Sequence, residues 1–472
     1  MRGRRDDGVV DLLVIGGGTA GMVGARTAAS LGARVLLAER DRTGGDCLWT
    51  GCVPSKALLA AADAAAGART AGRFGVDAGE VTVDFGRVRA HVRAAIEHIR
   101  PVDSREALEA AGVQVEAAEA VLTGPGTATV GGRGVRFGRA LLATGAAPAL
   151  PPVDGLAEAR PLTSETVWDD LTELPARLAV LGGGPIGCEL GQAFARLGSA
   201  VTVVDGADRL LTEEPAEASA VVTAALRRDG VTVCTGSGVT AVRDGALRLA
   251  DGSAVPFDRL LVAVGRRPRT ADLGCAAAGV ELRGDGTVVV DGALRTTNPR
   301  IWAAGDLTGH PQFTHTAGVH GSLAATNALL GLSRQVDPVV PRVTYTSPEV
   351  ASVGLPPERG VTVRRVGHGH VDRAVTDGAT DGFTTLVLDR RRRVVGATAV
   401  GPRAGEVLGE LTLAVRERLT TTDLAGTTHA YPTYSGAAWD AAVDDVRARL
   451  AGPVLGRVLR AAVRLRAQRS AR

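Results

Sequence analysis

The stretch Asp11-Leu-Leu-Val-Ile-Gly16-Gly-Gly18-Thr-Ala-Gly21 decides the fold of the first part of this chain. Its apolar run predicts a buried parallel strand, and the G-x-G-x-x-G turn predicts a tight connection to an Ala-rich helix that ends near Leu31. A second strand follows over Arg34–Ala38 and ends at Glu39, 23 positions after Gly16. Strand, glycine turn, helix, strand and terminal acid together predict a dinucleotide-binding βαβ unit.

The same pattern recurs in the middle of the chain. Leu178–Leu181 is a predicted strand, Gly182-Gly-Gly184-Pro-Ile-Gly187 is its turn, and the next strand, Ala200–Val204, ends at Asp205. A glycine-rich turn without a ligand is the alternative, but two such units with the acid at identical spacing favour binding. The glycines let the backbone approach a pyrophosphate, and each acid is placed to accept a ribose hydroxyl. Two dinucleotides are therefore expected, a flavin and a nicotinamide.

The segment Gly44-Gly-Asp-Cys47-Leu-Trp-Thr-Gly-Cys52-Val-Pro-Ser-Lys56 carries the predicted chemistry. Its two cysteines, five positions apart, can form a disulfide if the loop tightens. Cys52 is predicted to begin a helix, and the dipole of a helix N-terminus stabilises a thiolate. A zinc site is disfavoured because no second Cys/His pair stands at ligand spacing, and a buried structural pair stays as the alternative.

Lys56 is the one lysine among 54 basic residues. A chain that otherwise uses arginine keeps a lysine where a compact ammonium is needed, because a guanidinium cannot replace it at a chemical site. Chance survival on the surface is the alternative. Cys188, Cys234 and Cys275 are isolated in the sequence and are interpreted as small core residues.

Bulk composition narrows the class of protein. The 472 residues suffice for about three domains, and a net charge of +3 gives no indication of nucleic-acid binding. Five cysteines are too few for a secreted disulfide scaffold. No apolar run reaches the roughly 18 residues that span a bilayer. Because Met1–Asp7 does not resemble a signal peptide, a cytoplasmic location is expected.

The remaining segments predict an α/β protein with two Rossmann-like dinucleotide-binding domains and a C-terminal α+β domain. A helical stretch over Phe85–Ala111, interrupted by Pro101, separates the two nucleotide units. The α+β domain is predicted from strands near 343–353, 364–369, 383–389 and 394–400 and a helix near 405–418. The predicted boundaries are 1–148 and 271–335 for the flavin domain, 149–270 for the nicotinamide domain, 336–445 for the α+β domain and 446–472 for a basic tail.

In their order along the chain, these motifs resemble those of the pyridine nucleotide-disulfide oxidoreductases, and the resemblance covers about residues 10–445. The motifs are the first fingerprint, the cysteine pair, Ala143-Thr144-Gly145, the second fingerprint, Gly305-Asp306, and Tyr345-Thr-Ser-Pro348-Glu349. The cysteine segment and Asp372-Arg373-Ala374 look most like the mercuric reductase-like branch, which stands beside the dihydrolipoamide dehydrogenase-like branch. The resemblance implies an enzyme with FAD and NAD as cofactors. It also implies a homodimer built through the C-terminal α+β dimerisation domain.

The resemblance further implies roles for single residues. Cys52 would be the thiol that faces the flavin, and Cys47 the thiol that faces the substrate. Lys56 would lie near flavin N5 and pair with Glu189, and Tyr431 would be the catalytic-loop residue that acts in the other subunit's site. The implied FAD-binding residues are Gly16, Gly18, Gly21, Glu39, Lys56, Ala143, Thr144, Gly145, Asp306, Gln312, Phe313, Thr314 and His315. The implied NAD-binding residues are Gly182, Gly184, Gly187, Glu189, Asp205, Val239 and Gly265; no metal ligand is predicted.

The preference between NADH and NADPH follows from Asp205, the acid at the end of the second βαβ unit. Asp205 would repel a 2′-phosphate, and no arginine occurs within the three residues that follow it. NADH is therefore expected to be preferred over NADPH.

The chain departs from the family at its C-terminal acid–base pair. Where the family has His-Pro-Thr with a Glu five residues after the His, this sequence has Tyr431-Pro432-Thr433 and then Gly436. A tyrosine with a pKa near 10 is a poor base at neutral pH. His429 is either a substitute base or a packed or solvated histidine. No cysteine follows Cys275, so the vicinal pair of mercuric reductase is missing, and neither lipoamide nor mercuric ion fits this sequence well as a substrate.

Two classes of function stay open. The first is an enzyme that passes electrons from NADH through FAD to the Cys47–Cys52 disulfide and on to an unidentified small-molecule acceptor: a small disulfide, a quinone or a metal ion. The second is a flavin-bearing redox sensor with little turnover, and dihydrolipoamide dehydrogenase proper is a further alternative. From Val446 onward there are eight Arg and no acidic residue. This tail predicts a basic amphipathic helix, which either makes weak contact with an anionic membrane surface or is solvated or packed in the dimer.

Overall fold

Alternate residues of the first strand, Val9–Ile15, are buried on opposite faces of one sheet. Leu12 and Val14 pack into one apolar cluster, and Leu13 and Ile15 pack into another. Burial on both faces is typical of a strand in a parallel sheet that is covered on both sides. The computed structural model describes residues 9–470. The interpretation of Met1–Asp7 and the last arginine of the tail, Arg472, therefore lie outside the described residues.

The contacts divide the chain into two units. The first unit comprises Met1–Gly183, Ala193–Gly206 and Ser237–Pro338, and the second comprises Gly184–Gln192, Ala207–Gly236 and Val339–Arg472. The domain boundaries that the sequence suggested at residues 148, 270, 335 and 445 stay predictions.

The strands, in chain order, are β1 (Val9–Ile15), β2 (Val35–Glu39), β3 (Val113–Ala117), β4 (Ala120–Gly124), β5 (Thr127–Val130), β6 (Arg133–Leu142), β7 (Ala146–Pro148), β8 (Arg177–Leu181), β9 (Ala200–Asp205), β10 (Thr232–Thr235), β11 (Val239–Arg243), β12 (Ala246–Leu249), β13 (Ala254–Pro256), β14 (Arg259–Val262), β15 (Arg266–Pro268), β16 (Ile301–Ala303), β17 (Arg342–Thr344), β18 (Glu349–Gly354), β19 (Thr362–Gly367), β20 (Phe383–Leu388) and β21 (Val394–Gly401).

The α-helices are α1 (Thr19–Ser30), α2 (Gly45–Trp49), α3 (Cys52–Thr70), α4 (Phe85–Ile99), α5 (Arg105–Ala110), α6 (Val167–Asp170), α7 (Pro185–Leu197), α8 (Ala216–Arg228), α9 (Thr314–Leu330), α10 (Asp372–Thr376), α11 (Ala404–Arg416), α12 (Thr421–Gly426), α13 (Gly436–Leu450) and α14 (Leu455–Ser470). Short 3₁₀ turns cover Ala71–Phe74, Arg100–Asp103, Asp306–Thr308, Pro357–Arg359 and His368–His370.

The large sheet of the first unit has β1 near its centre. Strand β1 pairs in parallel with β2 and β6, β2 pairs in parallel with β3, and β16 joins β6 in parallel. Strands β4 and β5 extend the sheet beyond β6 in antiparallel order. Helices α1 and α9 pack closely, since a Cβ atom on Gly321 would lie 2.2 Å from the carbonyl oxygen of Ala20. The loop after β1 is thereby fixed at the carboxyl edge of the sheet.

The second predicted nucleotide unit also forms a parallel sheet. This sheet belongs to the first of the two compact units, and in it β8 pairs in parallel with β9 and with β14. Strands β11, β12 and β13 form a small antiparallel sheet, and β7 pairs antiparallel with β15. The predicted strands are confirmed within one residue at β8 and β9, and α7 ends at Leu197 as predicted but already begins at Pro185, inside the predicted turn.

The second unit is built around an antiparallel sheet in the order β17-β18-β21-β20-β19. Apolar residues of α11 and α13, such as Leu408 and Ala441, complete its core. The single strand predicted near 343–353 is wrong: the structure has two strands, β17 and β18, paired antiparallel. Pro348 lies between them, and its missing N–H makes it unsuitable inside a sheet.

Two further boundaries concern helices. The helical stretch predicted over Phe85–Ala111 is divided into α4 and α5 by a 3₁₀ turn that contains Pro101, so the predicted interruption is confirmed. The predicted start of the tail, Val446, lies inside α13, and the next helix begins at Leu455. None of the helices described over residues 9–470 is both long and apolar enough to cross a membrane.

Candidate active site

The turn between β1 and α1 is as tight as the glycine pattern predicts. Gly16 has φ +107°, and a Cβ atom there would lie 2.4 Å from the carbonyl oxygen of Ala143. A Cβ atom on Gly21 would lie 1.9 Å from the carbonyl oxygen of Gly16. Gly18 is the N-cap of α1 and provides no side-chain cap. The first N–H groups of the helix are therefore available to an anion such as a pyrophosphate.

Glu39 ends β2 beside this turn. Its Oε2 accepts a hydrogen bond from the Gly17 N–H at 2.5 Å, and its Oε1 accepts one from the Asp41 N–H at 2.9 Å. These two contacts fix the carboxylate next to the glycines. The acid that the sequence placed 23 positions along the chain is therefore adjacent in space to the nucleotide turn.

The second turn repeats the geometry of the first. Gly182 has φ +113°, and a Cβ atom there would lie 2.4 Å from the carbonyl oxygen of Ala263. Asp205 ends β9, and its Oδ2 accepts a hydrogen bond from the Gly183 N–H at 2.6 Å. Gly184 precedes α7, and Gly187 lies in the first turn of that helix. Both glycine-rich turns therefore have the geometry of nucleotide-binding turns, and in each an acid is held against the glycines.

Two predicted cofactor segments lie together in the first unit. Ala143-Thr144-Gly145 follows β6, and the Thr144 hydroxyl donates to the carbonyl oxygen of Arg269 at 2.7 Å. The Arg269 N–H donates to the carbonyl oxygen of Gly145 at 3.0 Å. Gly265 precedes β15 with φ +131°. Val239 begins β11, where it faces Leu249 across the small antiparallel sheet.

The cysteine pair lies where two helices begin. Cys47 lies in α2, and Cys52 is the first residue of α3, whose N-cap Gly51 provides no side-chain cap. The exposed Cys52 Sγ is 3.3 Å from the Thr314 hydroxyl oxygen, and Thr314 is the first residue of α9. The positive ends of two helix dipoles therefore lie close to the Cys52 sulfur, which stabilises negative charge there.

The surroundings of Cys47 weaken the acidity of its thiol. The hydrogen bond between Cys47 and Cys52 raises the pKa of Cys47 far above its usual value, burial raises it further, and the Thr314 hydroxyl lowers it in part. These effects favour the protonated form of Cys47, while the two helix N-termini favour a thiolate at Cys52. A thiolate at Cys52 and a protonated Cys47 can be oxidised to a disulfide with loss of two electrons and one proton.

Lys56 and Glu189 are placed in separate units. Lys56 lies in α3 one turn after Cys52, so both side chains project from the same face of the helix. Glu189 lies in α7, is buried, and accepts a hydrogen bond from the Tyr345 N–H at 2.9 Å. The Tyr345 segment, which the sequence singled out as a motif, therefore fixes the Glu189 carboxylate.

Asp306 lies at the carboxyl end of β16. It follows Gly305, which has φ +89°, and begins a 3₁₀ turn. Burial raises the pKa of the Asp306 carboxyl, while the Arg266 guanidinium, with Nε 3.3 Å from Oδ2, lowers it. The Gln312 side-chain amide donates to the carbonyl oxygen of Asp306 at 3.3 Å. The Asp306 and Gln312 segments are therefore joined.

The residues that follow Gln312 form the start of α9. The Phe313 and His315 rings stack with centroids 5.1 Å apart and an interplanar angle of 10°. Thr314 lies between them and contacts Cys52. Sequence reasoning assigned Thr314 only to the cofactor and missed its contact with sulfur. No signal could have revealed it, because 262 positions separate the two residues in the chain.

Tyr431 lies in the second unit on an exposed loop. It is 79% exposed, and its hydroxyl donates to Asp372 Oδ2. This hydrogen bond raises the pKa of Tyr431, so the phenol is an even poorer base than the sequence implied. The ring nitrogens of His429 are engaged by Glu410 Oε1 at 2.8 Å and by the carbonyl oxygen of Thr427 at 3.0 Å. His429 is thus packed against its neighbours.

Among residues 9–470, no cluster of three or more His, Cys, Asp or Glu side chains could hold a metal ion. Cys188 and Cys275 are buried, as the sequence suggested, whereas Cys234 is partly exposed.

Two nucleotide turns and a polarised thiol pair at a helix N-terminus define a class of protein: a dinucleotide-dependent oxidoreductase that works through two cysteines. The family follows from comparison with known sequences. The profile described as pyridine nucleotide-disulphide oxidoreductase matches residues 10–321, and the profile of its dimerisation domain matches residues 340–442. The chain belongs to this family of FAD-dependent NAD(P)H enzymes, and its dimerisation domain supports a homodimer.

Known relatives match about nine tenths of the chain. A mercuric reductase of Streptomyces lividans is 41% identical, and the alignment covers 90% of this chain and 94% of the relative. A dihydrolipoyl dehydrogenase of Chlamydia pneumoniae is 33% identical, with 90% and 94% covered. The solved structure of LpdA from Mycobacterium tuberculosis has a TM-score of 0.83 at 29% identity, covering 92% of this chain and 99% of that one.

A second solved structure is also similar. The Cu(II) complex of RclA, a HOCl-induced flavoprotein disulfide reductase of Escherichia coli, has a TM-score of 0.81 at 26% identity, with 91% of this chain and 99% of that one covered. The α/β fold class predicted from the sequence is confirmed, as is the assignment to the family.

Proposed function

We propose that the enzyme oxidises NADH and delivers the electrons, through bound FAD and the Cys47–Cys52 pair, to a small-molecule acceptor. The single observation that supports this most is the polarised thiol pair. Cys52 begins α3 and lies 3.3 Å from the Thr314 hydroxyl, while the neighbouring thiol raises the pKa of Cys47. A buried structural pair would not be expected at two helix N-termini with one sulfur exposed.

The residues of the first nucleotide turn fit FAD. A Cβ atom on Gly18 would meet no atom closer than 3.9 Å, which leaves room for a pyrophosphate at the start of α1. Glu39 would accept a ribose hydroxyl, and Asp306 would bind the ribityl chain. Bound FAD would supply two-electron transfer between the nicotinamide and the sulfur pair. Lys56 and Glu189 would pair beside it, with the ammonium orienting the cofactor's reactive edge.

The second turn would hold the nicotinamide nucleotide, with NADH preferred over NADPH. The Asp205 carboxylate is fixed by the Gly183 N–H, so it cannot easily move away from a 2′-phosphate. An Asp205→Ala change removes this repulsion. We expect the ratio of kcat/KM for NADH to that for NADPH to fall by at least about tenfold, which steady-state kinetics with both nucleotides would measure. A higher kcat/KM for NADPH in the unaltered enzyme would contradict the assignment.

The electron acceptor is a small disulfide, a quinone or a metal ion. The similarity to mercuric reductase of Streptomyces lividans favours a metal ion, and the similarity to the disulfide reductase RclA favours a disulfide. Tyr431, with its raised pKa, provides no general base for thiol oxidation at neutral pH. This disfavours dihydrolipoamide dehydrogenase proper, which is one alternative; the other is a flavin redox sensor with little turnover.

Spectroscopy of the purified enzyme tests the thiol assignment. Two-electron reduction of the yellow protein should produce a long-wavelength absorbance that arises from the Cys52 thiolate beside the flavin. Cys52→Ala should abolish this band, whereas Cys47→Ala should retain it. A band that persists in Cys52→Ala would show that the two thiols have been assigned in the wrong order.

Turnover then separates an enzyme from a sensor. We expect steady NADH consumption with a disulfide, quinone or metal-ion acceptor. Cys47→Ala should abolish this turnover for acceptors that react at the substrate-facing thiol. A single stoichiometric reduction without turnover with any of these acceptors would favour the redox sensor.

The location and the tail complete the proposal. A cytoplasmic location stays a prediction from the sequence. Helix α14 carries five arginines and exposes apolar residues such as Val458 and Val463. Weak contact with an anionic membrane surface and a helix that is solvated or packed in the dimer are the two alternatives for this tail.

A further inference from the structure

Asp46 lies in the redox loop, which we define as residues 44–52 and which contains both cysteines. It directly precedes Cys47 in α2. Its carbonyl oxygen accepts the Thr50 N–H at 2.9 Å, and a Cβ atom on Gly51 would lie 2.8 Å from that same oxygen. The position of Asp46 therefore determines how the loop reaches Cys52.

Two arginines hold the Asp46 side chain. Arg266 Nη2 contacts Asp46 Oδ2, and Arg269 Nη1 lies 3.5 Å from Oδ1, so each carboxylate oxygen faces one guanidinium. The Arg266 side chain is only 16% exposed, so the pair is poorly screened by water. Such a shielded ion pair is a stronger positional constraint than a surface pair.

The arginines are themselves fixed by the flavin side of the first unit. Arg266 Nη2 also donates to the carbonyl oxygen of Ala146 at 2.6 Å, and its Nε lies 3.3 Å from Asp306 Oδ2. Arg269 Nη2 lies 2.5 Å from Glu165 Oε1. Arg266 thus connects the residue before Cys47 with the residue that we propose binds the ribityl chain.

We propose that Asp46 and Arg266 are positioning residues that hold the redox loop against the flavin site, so that the thiol pair is correctly oriented only while this ion pair is intact. The connection to the cofactor rests on the proposed function, in which Asp306 binds FAD. Neither residue needs to touch the substrate. Both act through the position of Cys47 and Cys52.

The test uses the full-length FAD-containing protein with Asp46→Asn. This change removes the charge but leaves the Arg266–Asp306 pair, so FAD content is expected to stay within about twofold of that of the unaltered protein. After reduction with dithiothreitol, the thiols are labelled with iodoacetamide and quantified by mass spectrometry. We expect the ratio of Cys47 to Cys52 labelling to change on the order of tenfold, as misplacement of a reacting group does.

Asp11→Asn is the matched control. Like Asp46, Asp11 pairs with an arginine, since its carboxylate lies 3.6 Å from the Arg34 guanidinium; it also accepts the Arg34 backbone N–H at 2.7 Å. It is the third residue of β1, five positions before Gly16 of the nucleotide turn. Its labelling ratio should stay within about twofold of that of the unaltered protein. If Asp46→Asn behaves like Asp11→Asn, the proposal is wrong.

Asp46→Glu separates positioning from a general loss of structure. This variant keeps the carboxylate, so its labelling ratio should lie closer to that of the unaltered protein than to that of Asp46→Asn. If Asp46→Asn does not fold, Asp46→Glu decides: a labelling ratio within about threefold supports the proposal, and a tenfold change overturns it. Absence of NADH-dependent flavin reduction in the unaltered protein would contradict the proposed function, while the labelling comparison would still stand.

Discussion

At the level of single residues, Thr314 is the side chain whose role depends most on the folded chain. Its hydroxyl lies 3.3 Å from Cys52 Sγ and also lowers the pKa of Cys47. A hydroxyl shared by two sulfurs influences which of them carries the proton. Thr314 therefore acts on the thiol pair directly, beside any contact that it makes with the cofactor.

Removing this hydroxyl should shift the titration of Cys47. In Thr314→Val the lowering influence is lost, so the pKa of Cys47 rises and less thiolate is present at a given pH. We expect Cys47 alkylation to slow by about threefold to tenfold, the ratio that a hydrogen bond of about 1 kcal/mol gives. The pH profile of the rate, followed by mass spectrometry, should move to higher pH.

Thr314→Ser is the control for this prediction, because it keeps the hydroxyl and removes only a methyl group. Its pH profile should match that of the unaltered enzyme. Equal profiles for Thr314→Val and Thr314→Ser would show that the hydroxyl does not influence the thiols.

At the level of elements, α13 is fixed to the sheet of the second unit by a buried carboxylate. Asp445 is fully buried and accepts hydrogen bonds from Arg364 at 3.1 Å, Arg392 at 3.0 Å and the Thr421 hydroxyl at 2.8 Å. These contacts explain why the helix continues past the boundary at residue 446 that the sequence suggested. A tail that starts at 446 would cut a packed helix.

Asp445→Ala should destabilise the protein. The change leaves two partly buried guanidinium groups without their shared acceptor, and removing one partner of a buried pair costs about 3 kcal/mol or more. The free energy of unfolding, measured by urea denaturation, should fall by this amount. Asp444→Ala, at the exposed neighbouring position, should change it by less than about 0.5 kcal/mol. Similar losses in both variants would argue against a special role for Asp445.

The loop before α13 carries two tyrosines whose hydroxyls donate to carboxylates. Tyr431 is held by Asp372, and Tyr434 donates to Asp377 at 2.9 Å. Burial, followed by this hydrogen bond, raises the pKa of Tyr434 to about 12. Neither phenol can act as a base near neutral pH. We therefore expect this loop to lack the acid–base function that the resemblance assigns to the family's His and Glu.

Restoring that pair should raise dihydrolipoamide oxidation. A Cβ atom on Gly436 would meet no atom within 4 Å, so a glutamate fits there. Since a general base contributes roughly 10²–10⁴-fold, Tyr431→His with Gly436→Glu should increase kcat by at least about tenfold. Gly436→Glu alone should not. Rapid turnover of dihydrolipoamide by the unaltered enzyme would show that the missing pair is unimportant here.

At the level of the whole molecule, helix α14 is the candidate for contact with a membrane surface or with the other subunit. Helix α14 has arginines on one face, but Arg466 and Arg469 fall among the apolar residues of the other face. The uninterrupted apolar strip is therefore short, and its contribution to membrane binding is small. We expect the helix to be solvated or packed in the dimer.

Vesicle co-sedimentation checks this expectation. The shortened chain should end at Gly452, because α13 continues to Leu450 and must stay intact. The full and shortened chains should sediment equally with vesicles that contain anionic lipid. Since each arginine near such a surface contributes about 1 kcal/mol before screening, selective binding of the full chain would instead establish a membrane contact.

The sequence by itself determined the local architecture of this protein. The glycine spacing and apolar runs predicted β1, α1 and β2, and again β8, α7 and β9, because each pattern depends on residues within about 25 positions of one another. The helix N-terminus at Cys52 was also predicted, from the residues of its first turn. The strand predicted near 343–353 failed since periodicity alone does not show where Pro348 divides a strand.

Only the tertiary structure decided how distant residues act on the thiol pair. Thr314 meets Cys52 across 262 positions, and Arg266 meets Asp46 across 220. Such contacts leave no periodic trace in a single sequence, because they arise where the ends of separate strands and helices converge. The sequence therefore identified the two candidate sulfurs, and the fold brought the Thr314 hydroxyl to Cys52 and the Arg266 guanidinium to Asp46.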